Sequence, residues 1–152
     1  MGVGEVRDLI PILQVAIGPV ILISGVGLLL LTMTNRLGRA IDRARALAEK
    51  YDQAEEALRP RLGQQLVVLW RRAKILRLVI TLAAASALSS GLLVIIIFIS
   101  ALWGFISGWF VIALFTIALA SLVASLILFI HDINQSLAAL RLELDASQKV
   151  FD

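Results

Sequence analysis

The 152-residue chain contains no cysteine, which excludes disulfides, thiolate metal centres and cysteine nucleophiles. It has a single histidine, too few for a histidine-built zinc site, which wants four ligands. Charge is scarce as well. Asp, Glu, Lys and Arg together make up 16% of the residues, against about 25% in an ordinary soluble domain. No glycine-rich phosphate loop and no nucleic-acid-binding module can be found, so the basic balance of +3 points away from nucleic acid. No pattern of residues calls for a cofactor, and none marks an enzyme.

Apolar sequence is abundant. Hydrophobic residues reach 60%, above the usual ~45–50%. A single domain of this size cannot bury that much apolar surface in its own core, but a bilayer can accommodate it. Three runs account for the excess, at about 9–33, 78–102 and 109–130, and none contains Asp, Glu, Lys, Arg or His. About 20 apolar residues in a helix cross the hydrocarbon core. Helix is the expected form, because backbone groups in lipid must be satisfied within the segment. The first run is not a signal peptide: its flank holds Glu5, Arg7 and Asp8, and it exceeds the ~7–15 residues of such a core.

Charge placement gives an orientation. Residues 34–77 carry eleven Lys and Arg against five Asp and Glu, a net of +6, whereas 103–108 carry no charge. Basic segments stay on the cytoplasmic side. The expectation is therefore an outer N-terminus, a cytoplasmic segment 34–77 and a cytoplasmic C-terminal helix 131–152. Trp103, Phe105, Trp109 and Phe110 then form an aromatic belt at the outer interface.

The basic segment has helical periodicity. Leu37, Ile41, Ala44, Leu47, Tyr51, Ala54 and Leu58 step by three or four, as do Leu62, Leu66, Leu69, Ala73 and Leu76 after Pro60. Proline is tolerated in a first helical turn but not in a helix interior, so the break is placed at Arg59-Pro60. Spans one and two are expected to run on as a cytoplasmic hairpin. The third is expected to continue through Ile133, Leu137, Leu140 and Leu144 and to pack on that hairpin as a coiled-coil-like bundle. The predicted fold is all-α: three transmembrane helices, the first two extended into a hairpin joined by the C-terminal helix.

The run 13–20 (LQVAIGPV), Gly25-Val26-Gly27, the stretch 34–45 (TNRLGRAIDRAR) and Asp132-Ile133 with Ser136-Leu137 and Ala139-Leu140 resemble a bacterial membrane family, domain of unknown function 2721. The resemblance covers nearly the whole chain and is most specific at 34–45. It implies a three-span protein of the bacterial inner membrane, and makes Arg36, Arg39, Asp42, Arg43 and Arg45 the candidates for what the family retains. It brings no activity with it. Gly38 stands inside the arginine motif where a stronger helix former is expected.

Two groups of residues are candidates for function. Arg36, Arg39, Asp42, Arg43, Arg45, Arg71 and Arg72 lie near the inner ends of the spans, as a basic vestibule or a contact for anionic lipid headgroups. Among them Asp42 is the expected buried partner of the arginines. Gln14, Ser86, Ser89, Ser90 and Gly91 are candidates for a pore lining or for close helix packing, with Ala83, Ala87 and Gly91 spaced by four. His131-Asp132 reads as interfacial capping or pH sensing, not as part of a catalytic triad. No ionisable group lies within a span, which disfavours a proton-coupled transporter. Two readings of function follow. The first is a homo-oligomeric channel with a basic cytoplasmic vestibule. The second is a membrane-anchored scaffold or regulator that binds lipid or protein partners through its hairpin.

Overall fold

The computed structural model describes the backbone of residues 3–103 and 108–151, and the side chains of 10–11, 13–101 and 108–135. Three α-helices follow one another: α1 Val3–Gln53, α2 Arg59–Trp103 and α3 Gly108–Phe151. No strand occurs among the described residues. Each helix contains a stretch long and apolar enough to cross a membrane.

The helices far outlast any bilayer. At 1.5 Å per residue the 51 residues of α1 extend about 76 Å, against about 30 Å of hydrocarbon. The apolar spans therefore continue without a break into the polar segment, and α1 passes through Gly38 uninterrupted. Pro11 and Pro19 both lie inside α1. Pro19 is buried, and its missing N–H removes the usual helical partner of the Val15 carbonyl.

The turn falls at 54–58, ahead of the sequence-based break at Arg59-Pro60. Ala54 and Leu58, assigned to the first apolar stripe, belong to the turn instead. The reason is capping. Pro60 occupies the first turn of α2, where its absent N–H costs nothing. Arg59 Nε donates to the Ala54 carbonyl at 3.3 Å, and Leu58 N to the Glu55 carbonyl at 2.9 Å. Further along the hairpin, Gly63 leaves room for the Tyr51 ring: a Cβ there lies 3.6 Å from Tyr51 Cε2.

Packing follows a seven-residue rhythm on every helix. On α2 the buried positions are Leu76, Val79, Ala83, Ser86, Ser90 and Leu93. On α1 they include Val26 and Met33, and on α3 Ala118, Ser125 and Asp132. Such repeats belong to left-handed, nearly antiparallel packing. Val26, Met33, Val79 and Ala83 form the core cluster. Leu22, Leu29 and Leu30 of α1 and Leu122, Leu128 and Phe129 of α3 pack around it. α2 is the central helix, with α1 and α3 both packed on it. The other large side chains of the spans, such as Leu28, Leu88 and Ile112, point outward, as lipid as solvent requires. Of the outer aromatic belt, Trp109 and Phe110 are exposed. Trp103 and Phe105 lie outside the described side chains, as does the proposed packing of Leu137, Leu140 and Leu144.

Ala83 is fully buried in the core cluster it forms with Val26 and Met33 of α1 and Val79 of α2. Ala83→Leu is expected to force the helices apart and destabilise the protein by about 1–3 kcal/mol. Leu88→Ala, at a position 76% exposed, is expected to leave the midpoint nearly unchanged. Thermal unfolding in detergent, followed by circular dichroism, checks both.

Candidate functional site

The three helices are tied together by one carboxylate. Asp132 lies two residues beyond the third apolar run, on the α3 stripe that begins with Ala118 and Ser125. Spacing by seven keeps it on the face turned towards the other helices, and its side chain is completely buried. Arg72 of α2 donates from Nε to Oδ1 at 3.2 Å. The η2 nitrogen of Arg36, on α1, lies 3.3 Å from Oδ2. The Arg36 guanidinium also stacks over the Phe129 ring, 5.3 Å from its centroid, one helical turn before Asp132. Two guanidiniums on two helices thus converge on a carboxylate of the third, with an aromatic face shielding one of them.

The triad sits where all three helices leave their apolar runs. A charge placed deeper would face the full desolvation cost, and one placed farther out would be screened by water and salt. The site carries two cations and one anion, so it remains positive overall. Arg36 and Arg72 keep 20% and 33% of their side-chain surface exposed, whereas Asp132 keeps none.

Asp42, expected as the buried partner of the arginines, is exposed instead. Among the described residues the ion pairs go to Asp132. Asp42 points away because its helical position differs by six residues, or about 240°, from that of Arg36. The basic candidates accordingly do not all converge on one carboxylate. Arg36 and Arg72 meet at Asp132, while Arg39, Arg43, Arg45 and Arg71 are exposed along the hairpin. The spacing of Ala118, Ser125 and Asp132 was the signal that could have singled out Asp132. His131 points outward and shares a 2.9 Å hydrogen bond with Gln135.

The serine candidates lie inside a single protomer. Ser86 and Ser90 are buried, and Ser89 and Gly91 are half-buried. Ser90 donates to the Ser86 carbonyl at 2.9 Å within α2. Ser125 donates to the Val79 carbonyl at 2.9 Å, a hydrogen bond between α3 and α2. The Ser86 hydroxyl has no hydrogen-bond partner among the described residues. A Cβ at Gly91 lies 4.0 Å from Ile23 Cδ1, an ordinary contact, so this position faces α1 with room for a small side chain. Gln14 is exposed on α1. No group of three or more His, Cys, Asp or Glu that might hold a metal occurs among the described residues.

Truncating Arg36 and Arg72 together removes both guanidiniums from a buried carboxylate and is expected to cost about 3–5 kcal/mol of stability. Asp132→Asn costs less, because the two partly exposed arginines still reach water. Reversing that order in chemical denaturation would show that the triad does not hold the helices. Ser86→Ala removes an orphaned hydroxyl, and its unfolding midpoint is expected to stay level or rise, since such a group costs about 1–3 kcal/mol.

No curated protein and no solved structure matches the chain. The match found is to a family described as "Protein of unknown function (DUF2721)", over residues 16–142, which takes in most of the first span, the whole of the other two, the hairpin and every residue of the triad. By that match the chain, with its three helices long and apolar enough to cross a membrane, belongs to the DUF2721 family.

Proposed function

We propose that the protein is a membrane-anchored docking protein of the bacterial inner membrane, without enzymatic activity, whose helical hairpin binds a partner on the cytoplasmic face. The orientation rests on the +6 net charge of residues 34–77. The observation that carries the reading is an apolar groove on the hairpin, about 480 Å³ in volume, between α1 and α2 beyond the spans. Ile41, Ala44, Ala48, Val67, Trp70 and Ala73 line it. Val67 is 54% exposed and Trp70 63%, on a segment whose other outward residues are mostly charged or amide. Large apolar side chains clustered outside the lipid mark interaction surfaces. Anionic lipid headgroups are the expected second contact, through the exposed arginines beside the membrane.

A second reading, the homo-oligomeric channel, keeps one specific observation in its favour. Gln14, Gly18, Gly25, Thr32 and Asn35 share an exposed face of α1, and a Cβ at Gly18 or Gly25 meets nothing within 4 Å. Small and polar residues on an outward face suit contact between copies, or a wettable lining. Ser86 and Ser90 do not serve that reading, because they are enclosed within one protomer.

Native mass in lipid nanodiscs, paired with ion flux from proteoliposomes, separates the two. A docking protein is expected as a monomer or small oligomer, with flux no greater than protein-free vesicles. An assembly of four or more subunits, with a flux abolished by Thr32→Leu and Asn35→Leu, would overturn the docking reading.

A further inference from the structure

A second groove lies on the hairpin, larger and lined by both basic and apolar side chains. Its volume is about 650 Å³, within the usual range of about 300–1,000 Å³ for ligand sites. Arg43 and Lys50 of α1 and Arg61 and Arg72 of α2 line it, with Gln64 and Gln65 between them. Ala46, Leu47, Val68 and Leu69 supply an apolar floor. No carboxylate is among the lining residues. Asp42 and Glu49, the acidic residues next to Arg43 and Lys50 in sequence, are exposed and line neither groove.

The groove continues the geometry of the ion triad. Arg36, Arg43 and Lys50 are spaced by seven along α1, so they share one face. At the membrane edge that face and Arg72 hold the Asp132 carboxylate between them. Two to four turns farther out the cations recur, and no acidic side chain among the lining residues answers them. Like charges brought together on two packed helices repel unless an anion sits between them.

We infer that this groove binds an anion carrying at least two phosphoryl groups. Charge sets the minimum. Arg72 is already shared with Asp132, which leaves Arg43, Lys50 and Arg61 to be balanced. A single phosphate, at about −1.5 to −2, balances them incompletely, whereas two linked phosphoryl groups carry more charge. Guanidinium forks and the ammonium supply charge-assisted hydrogen bonds, and the two glutamine amides add neutral donors. The same chemistry is offered by a soluble diphosphate, which can reach the whole groove, and by a lipid headgroup with two phosphates, which meets only its inner end at Arg43 and Arg72, six to ten residues beyond the apolar runs. The inference goes beyond the docking reading, which rests on the other groove.

The full chain in nanodiscs of zwitterionic lipid is titrated calorimetrically with pyrophosphate, tripolyphosphate and orthophosphate. In parallel, nanodiscs containing diphosphatidylglycerol are examined by native mass for retained lipid. Lys50→Gln with Arg61→Gln is expected to weaken binding about 30-fold, the effect of removing two basic contacts. Both residues are exposed and lie outside the triad, and an unchanged circular dichroism spectrum confirms the fold. In the titrations with soluble phosphates, Arg45→Gln with Arg71→Gln removes equal charge from outside this groove and is expected to change binding less than threefold. Pyrophosphate binding that depends on Lys50 and Arg61 identifies a soluble ligand. Lipid retention that is weakened by Arg43→Gln, with no pyrophosphate binding, identifies a headgroup. Equal losses in the two double variants, or orthophosphate binding as tightly as pyrophosphate, would overturn the groove and leave the docking reading untouched. Absence of binding by every probe would overturn it too, while the apolar groove is tested separately by mass and flux.

Discussion

A carboxylate with no access to solvent must be neutralised where it sits, and at Asp132 that constraint organises the molecule. Arg72 and Arg36 reach it from two different helices, so satisfying one buried charge also fixes the relative height of all three. Apolar packing alone does not fix height. Lipid tails are as apolar as leucine, and helices in a bilayer slide over one another at little cost until a polar contact sets the register. The Ser125 hydroxyl on the Val79 carbonyl does the same job seven residues deeper. Together the two contacts hold α3 against α2 at the membrane edge and within the span.

From that fixed edge the hairpin acquires its direction. α1 and α2 leave the membrane already packed, with Met33, Val79 and Ala83 in the core just beneath the triad. The same faces carry the pattern outward. One side of the hairpin becomes an apolar groove with Trp70 exposed, the other a groove ringed by Arg43, Lys50, Arg61 and Arg72. A rigid base is what allows two such surfaces to keep distinct chemistry about 10–30 Å from the lipid.

Much of this was legible from residues alone, and the limits of that reading are physical. Three uncharged runs require helices because lipid offers no hydrogen bonds, so the spans follow without tertiary information. The turn was displaced because periodicity carries on through Ala54 and Leu58, while capping by Arg59 and Pro60 decides where the helix stops. Asp42 was mistaken for the buried acid because it sits amid arginines in sequence. Neighbours in a helix point in different directions, and the true partner lay 60 residues from Arg72.

The serines show the same boundary. Spacing identified Ser86 and Ser90 as a face of α2, but a face does not say what covers it. Composition, run length and charge placement by themselves determined a three-helix membrane protein with a basic hairpin, because hydrophobic transfer and the cost of a charge in lipid act on each segment alone. Only the tertiary structure decided which acid joins the helices, that the serines turn inward and that the hairpin's basic side forms a groove. Those are properties of helices facing one another, and the angle and register of that meeting are written in no single segment.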